Sequence, residues 1–581
     1  MTRTDSFVVG TLVVLLAIVA GLVGVPALSD TAAPAPAAPS DPLPTGPYRE
    51  GVIGRPVSIG PFTARSQADR DLVALIFSGL VRNGPGGTLV PDLAKHWSVD
   101  PAGKVWTFEL RDDATWQDGE PVTAEDVAFT IRTLQDPAYT GPAAGSWSEV
   151  EVRAISDRVV TFTLATPLGG FLQAATQPIA PAHLLADVPV AALAEHPFGS
   201  QPVGSGPFAL AELTETSATL VPVSPTSDGS GPTPDGSGPT PSSSPADSLV
   251  TPPPALRPDR PLPYLSGIEM RFFDDGASLA AAYRAGELDA ASGLATSDAA
   301  ELAMEPASRL LRYPGATLTS VLLNLRPDSP EFSSPAVRTA LLAGIERTLL
   351  VDKVLAGAAT AANGPIPPSS PLYDAAADPP VAYDRAAAKK ALKRAGWTQK
   401  KDGWHLPKES KPLSIEILSP DEVSNPTVWA VARQVASDWR RLGLTVTHVG
   451  LPAGKFVTDR LAKGEFQVAV TDMTIGLDPD LYPLLASSQT VTGGSNIIGV
   501  QDPVLDTLLV AARAPGTPEA RAAAYSRLQG QLAKGRYLLP LAFPDEVMVA
   551  RDTLHGPAIR QVADAADRFW DVLTWRLAGD R

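Results

Sequence analysis

Six histidines are present, His96, His183, His196, His405, His448 and His555, and they are scattered rather than set at the short spacings that gather a metal ion. Cysteine is absent, so thiolate nucleophiles, thiolate metal ligands and disulfides are all excluded. One serine is superficially placed for nucleophilic work, Ser205 between Gly204 and Gly206. The full G-x-S-x-G elbow is missing around it, as are H-E-x-x-H, G-x-x-x-x-G-K-[ST] and a strand-borne G-x-G-x-x-G. The chemistry left to these side chains is reversible polar contact. No catalytic residue, cofactor or bound metal is expected.

Elements that could position such contacts are legible. Trp106, Phe108 and Leu110 alternate with Thr107, Glu109 and Arg111, the period of a half-buried strand, and Asp118-Gly119 supplies a turn. Thr123 to Asp126 reads as a capping box ahead of Val127, Ile131 and Leu134 on one helical face. Trp97, Trp106 and Trp116 read as packing aromatics. Ile268, Met270 and Phe272 alternate as a strand, and Leu318 to Leu325 is another. Ser334-Pro335 starts a helix with Val337, Leu341 and Ile345 on one face. From Leu413 the pattern is strand, helix (Asn425-Pro426 to Leu442, stopped by Gly443) and strand (Leu444 to Val449), a β-α-β unit that implies parallel pairing. Phe466, Val468 and Val470 repeat the strand signal, and a helix near Pro518 to Ala533 precedes an apolar strand at Tyr537 to Phe543.

At 581 residues the chain exceeds a single core and suits two large lobes. Acidic residues outnumber basic ones by 63 to 47, giving a formal charge of −16, the opposite of a nucleic-acid footprint. Phe7 to Leu28 carries no charge and as a helix reaches about 33 Å, enough to cross a hydrocarbon core of about 30 Å. Two readings stand for it: an uncleaved anchor, or a signal segment cut near Ala27-Leu28-Ser29. Residues 29–48 are an Ala/Pro spacer. Residues 224–263 contain DGSGPTP twice and are too rich in Gly, Pro and Ser to bury a core, so they are expected as a disordered insertion, with an interdomain linker as the alternative.

Strings along the chain, "SGLV" at Ser78 to Val81, "PDLAKHW" at Pro91 to Trp97, "FELRDDATWQDGEPVTAEDV" at Phe108 to Val127, "PVGSGPF" at Pro202 to Phe208 and "VRTALLAGIERTLL" at Val337 to Leu350, together resemble the family 5 extracellular solute-binding proteins of ABC importers, the peptide- and nickel-binding receptor family. The resemblance implies an α/β, two-lobed periplasmic-binding-protein-like fold, class II and enlarged, here with an N-terminal transmembrane helix. It divides the chain into 7–28 (anchor or signal), 29–48 (linker), 49–265 (first part of lobe I), 266–490 (lobe II) and 491–581 (return to lobe I). The Gly204-Ser205-Gly206 string becomes a backbone turn.

Function by resemblance is capture of a small solute, peptide first, in an interlobe cleft, and its delivery to permease and ATPase subunits by a monomer held outside the cytoplasmic membrane. The alternatives are a non-transport envelope receptor or scaffold, and a secreted hydrolase. The cleft-lining string is "VAVTDMTIGLDPDLYPLL", Val468 to Leu485. Peptide-binding members commonly read Trp-x-x-Asp-x-x-Asp-Pro there, the first Asp pairing with the peptide ammonium. Here Asp478-Pro479 matches the second element, Ile475 stands at the first, and Asp472 is the nearest earlier carboxylate. Asp472, Asp478, Thr471, Asn324 and Tyr373 are the candidate ligand residues, and Arg338 is expected in a helix salt bridge.

Overall fold

The computed structural model describes residues 46–141, 147, 149–223, 263, 265–490 and 495–578. The expected membrane segment 7–28, nearly all of the spacer 29–48, and the insertion 224–263 apart from Pro263 lie outside the described residues. Among the described residues no helix is long and apolar enough to cross a membrane.

The described chain opens with β1 (Tyr48–Ile53) and α1 (Gln67–Ile76), the latter started by a Ser66 capping box. A separate antiparallel sheet follows, built from β2 (Ala94–Val99), β3 (Val105–Leu110), β4 (Val150–Ser156) and β5 (Val159–Leu164) in the order β2-β3-β5-β4, with α2 (Ala124–Gln135) packed on β4 and β5. Local chemistry placed these elements as expected. Trp106, Phe108 and Leu110 all point into the core, and Asp126 Oδ2 accepts from the Thr123 backbone N–H at 2.7 Å.

The main sheet has two halves. In the first, β6 (Phe208–Leu213), β7 (Ser217–Pro222), β8 (Ile268–Phe273), β9 (Ala290–Ser292) and β10 (Ser308–Pro314) gather around β1. In the second, β11 (Thr317–Leu323) is backed by α3 (Pro335–Ala343), and β12 (Ser414–Pro420), α4 (Pro426–Arg441) and β13 (Thr445–Leu451) form the expected parallel β-α-β unit. There follow β14 (Val468–Thr474), α5 (Pro503–Arg513), α6 (Pro518–Gly535) and the long β15 (Leu538–Arg551). Strand order is β13-β12-β14-β11-β15-β9-β1-β8-β7-β6, with β10 also on β15. Thus β15 belongs to both halves: Leu538 to Ala542 pair with β11, and Asp545 to Arg551 with β10.

The cores divide at the same place. Tyr48, Leu72, Trp97, Phe108, Met270, Met548 and Trp575 share one apolar cluster, and a smaller one holds Leu279, Tyr283 and Val549. Val321, Leu341, Val435, Trp439 and Leu539 form another, beside a fourth that contains Leu318, Leu505, Tyr525, Leu528 and Phe543. Residues 46–314 and 545–578 therefore make one body, residues 317–543 the second, and the chain crosses between them at Pro314–Thr317 and near Pro544. The crossings touch: a Cβ on Gly315 would lie 2.1 Å from the Pro544 carbonyl oxygen, so only glycine fits.

This division differs from the expected 265/266 and 490/491 boundaries. β8 pairs in parallel with β1 and antiparallel with β7, so the tract 224–263 joins neighbouring strands of one sheet rather than separable domains. At the other end, α5 and α6 bury Leu505, Leu509, Tyr525 and Leu528 beside Leu318 and Leu322 of the second body. The alternation of a strand shows that it has an inside face but not which sheet it joins.

Candidate ligand cleft

β14 ends beside three polar side chains. Asp472 stands opposite Thr319 in register, and its carboxylate accepts from Thr319 Oγ1 at 2.6 Å and from Asn425 Nδ2 at 3.4 Å. Asn425 also caps α4, its Oδ1 accepting from the Val428 N–H at 3.0 Å. Asp472 is solvent-exposed, yet the protein around it raises its carboxyl above the ordinary value, partly offset by the Thr319 and Asn425 hydrogen bonds. The Asp472 side chain is thus open to solvent near the end of β14 while the surrounding protein disfavours its charged form. Among the described residues no Lys, Arg or His forms an ion pair with it. Glu546, just past the β15 crossing, behaves alike: exposed, raised by the surrounding protein and by the Asp564 charge, and without an ion pair among the described residues.

Asp478 is engaged elsewhere. Arg521 Nη2 donates to it at 2.8 Å, Arg513 pairs with Asp480 at 3.0 Å, and the Tyr525 hydroxyl donates to the Pro479 carbonyl at 3.1 Å. Against this loop lies a segment of the first body. The Gly169 N–H donates to the Arg513 carbonyl at 2.7 Å, and a Cβ on Gly170 would sit 2.7 Å from Asp478 Cγ. Asp478 is thus part of a contact between the two bodies. Ile475, where a peptide-binding pattern carries Asp, is buried, and its N–H donates to the Ala316 carbonyl at 2.9 Å.

The other expected residues are dispersed. Thr471 adjoins Asp472, its hydroxyl donating to the Asp472 carbonyl at 3.3 Å. Asn324 follows the far end of β11, roughly 17 Å along the strand from Thr319. It is buried, and its amide clamps the Gly464 and Phe466 carbonyls at 3.2 and 2.9 Å. Tyr373 packs on the core beneath α5 and α6, and its hydroxyl accepts from Asn363 Nδ2 at 3.4 Å. Arg338 makes no helix salt bridge. It is buried and donates to the carbonyls of Phe332, Ser333, Gly535 and Arg536, and burial brings it down to about 10. Ser205 is the turn expected: the Gly206 N–H donates to the Ile76 carbonyl at 2.7 Å, and a Cβ on Gly204 would meet that oxygen at 1.9 Å. Thr319, Asn425 and Glu546 escaped the sequence reading. Asn425 was visible only as a helix cap.

Two α/β bodies joined by paired crossings, with polar side chains near the strand ends, define a two-lobed binding protein. The model of the bacterial extracellular solute-binding proteins, family 5, matches residues 88–496, and the chain belongs to that family. It is a solute-binding receptor for an ABC importer and acts outside the cytoplasm, not as an enzyme. It is 28% identical over 540 residues to Protein XP55 of Streptomyces lividans, covering 91% of this chain and 86% of that protein. To the nickel-binding periplasmic protein of Escherichia coli (strain K12) it is 24% identical over 521 residues, 86% and 90% of the two chains. Its fold is similar to the oligopeptide-binding protein AppA of Bacillus subtilis in complex with a nonapeptide, at a TM-score of 0.68 and 21% identity over 92% of this chain and 99% of that one.

Proposed function

We propose that the two bodies are lobes that close on a polar solute, peptide before other classes, beside Asp472. The carrying observation is the division of the cores at two touching crossings, Gly315 and Pro544, an arrangement suited to hinge closure. Asp472, with Thr319 and Asn425 beside it, forms no ion pair among the described residues; Glu546 forms none either, although the Arg568 and Arg70 charges partly offset its raised pKa. An unpaired carboxylate at Asp472 favours a solute that brings an ammonium or other cation, and Thr471 stands next to it. Such a ligand binds the closed arrangement more tightly than the open one and shifts the population toward it. Asn324 and Tyr373 support the second lobe from within, and Asp478 supports closure. Residues 7–28 tether the receptor, a monomer, to the membrane.

The test is thermal denaturation of the full-length chain against a panel of short peptides and polar solutes. A ligand at one hundred times its Kd stabilises the native state by about 2.7 kcal/mol. The reading requires at least one cationic solute to raise the melting temperature and Asp472→Asn to remove most of that rise. A chain that no peptide or polar solute stabilises contradicts it and returns the balance to a non-transport scaffold.

A further inference from the structure

We infer that the hollow between α4 and β13 is a second binding site, one for a small organic anion with a flat apolar portion. It has a volume of about 650 Å³, within the range of small-molecule sites, and is lined by Trp429, Arg433, Gln434, Ser437, Arg440 and His448 among others. β13 is the outermost strand of its half-sheet, with β12 and β14 between it and β11. The hollow therefore lies at the outer edge of the second body's sheet, one turn along α4 from Asn425, the residue that bonds Asp472.

Its charges are what single it out. In a chain of net charge −16, Arg433 and Arg440 form no ion pair with any carboxylate among the described residues. Arg440 donates from Nε to the Val446 carbonyl at 3.0 Å, and its place in the last turn of α4 complements the helix dipole. Arg433 has no such reason for its position. Its guanidinium carbon lies 4.5 Å from the ring centre of Trp429, one turn before it on the same helix face. The half-buried indole also flanks His448, with ring centres 6.1 Å apart, and His448 Nε2 is 2.8 Å from Ser419 Oγ. Burial, then Arg433, then Arg440 hold the imidazole below its ordinary pKa, and no acidic group offsets them. A planar guanidinium presents paired donors that match a carboxylate or phosphate edge, and the indole face offers a flat apolar surface. An anion seated between the two arginines supplies the missing counter-charge while its flat portion lies against Trp429.

The test is calorimetric titration of the full-length chain with phenylacetate, with phenylacetamide as the uncharged comparator. The site predicts phenylacetate binding that weakens at least tenfold in Arg433→Gln/Arg440→Gln and at least tenfold for the amide, with an upward shift of the His448 imidazole titration on binding. Both substitutions are at exposed positions, and an unchanged melting curve verifies that the double variant is folded. Trp429→Phe, read in parallel, weakens phenylacetate more than inorganic phosphate. Absence of binding overturns the inference, as does equal affinity for acid and amide or affinity unchanged in the double variant. The site does not depend on the interlobe reading, and a failure of either leaves the other intact.

Discussion

Two places in this molecule treat arginine charge in opposite ways. In the first body Arg568 is buried between two carboxylates: Nη2 donates to Glu50 Oε1 at 2.8 Å and to Asp71 Oδ2 at 2.7 Å, and Nη1 donates to Asp71 Oδ1 at 2.6 Å. Ser292 and Tyr48 add hydroxyl bonds to Glu50 at 2.5 and 2.7 Å. The cluster joins β1, α1, β9 and the C-terminal 565–574 segment, so charge here serves the fold. In the hollow beside α4, Arg433 lies over the Trp429 indole, Arg440 donates to the Val446 carbonyl, and neither pairs with an acid among the described residues. A charge already neutralised by the chain has nothing left for a ligand. One left without a partner at the surface does.

The largest expected effect tests the first half of that contrast. Arg568→Ala strands Glu50 and Asp71 in the core and should cost about 3–5 kcal/mol in denaturant unfolding. A loss below 1 kcal/mol would mean that the cluster does not organise the fold, and the contrast with the hollow would collapse. Next in size is Gly204→Ala in the turn against α1. The new Cβ meets the Ile76 backbone oxygen, which cannot rotate away, and unfolding should show a loss of about 2–3 kcal/mol, near the top of the usual range for overpacking.

A third test concerns a buried carboxylate that is poorly compensated. Asp378 is 2% exposed and neither oxygen has a hydrogen-bond partner; Arg536 and Arg347 only partly offset a burial that lifts it from 3.8 to about 6. A raised folded-state pKa favours folding most below the unfolded value, and that contribution is lost as pH climbs through about 6. Asp378→Asn removes the titration. Its stability relative to the parent should therefore rise by about 2 kcal/mol between pH 4 and pH 7, read from urea midpoints across that interval. A parallel pair of pH profiles would show that the two arginines compensate Asp378 as fully as its partners compensate Arg568.

The contrast also explains what was legible in the sequence. The Thr123 capping box, the alternation of Trp106, Phe108 and Leu110, and the β-α-β unit around α4 are set by neighbours a few residues apart, and pattern alone revealed them. The lobe boundaries were not legible, because the membership of β8, α5 and α6 depends on distant pairing. Arg338 looked like a helix ion-pair residue, but it donates to carbonyls at Gly535 and Arg536 that only the fold brings near. Asp478 reads as a candidate ligand residue from its Asp-Pro string, but it pairs with Arg521, which lies on α6. Asp472 was picked out by its residue type, whereas Thr319 opposite it followed from strand register.

The smallest expected effect lies in the hollow and makes the comparison sharpest. Arg433→Gln removes an exposed charge that no acid needs, so its effect on stability should stay within about 0.5 kcal/mol. The informative change is at His448. Burial is the larger cause of its low pKa, and the charges of Arg433 and then Arg440 add to it, with Ser419 bonded to the ring. Deleting Arg433 relieves one repulsion and leaves the burial in place. The imidazole titration, followed by NMR, should move upward yet remain below the ordinary value of 6.5. An immobile titration would mean that the Arg433 charge is spent in solvent rather than focused into the hollow, and the hollow would then lack the field that draws an anion into it.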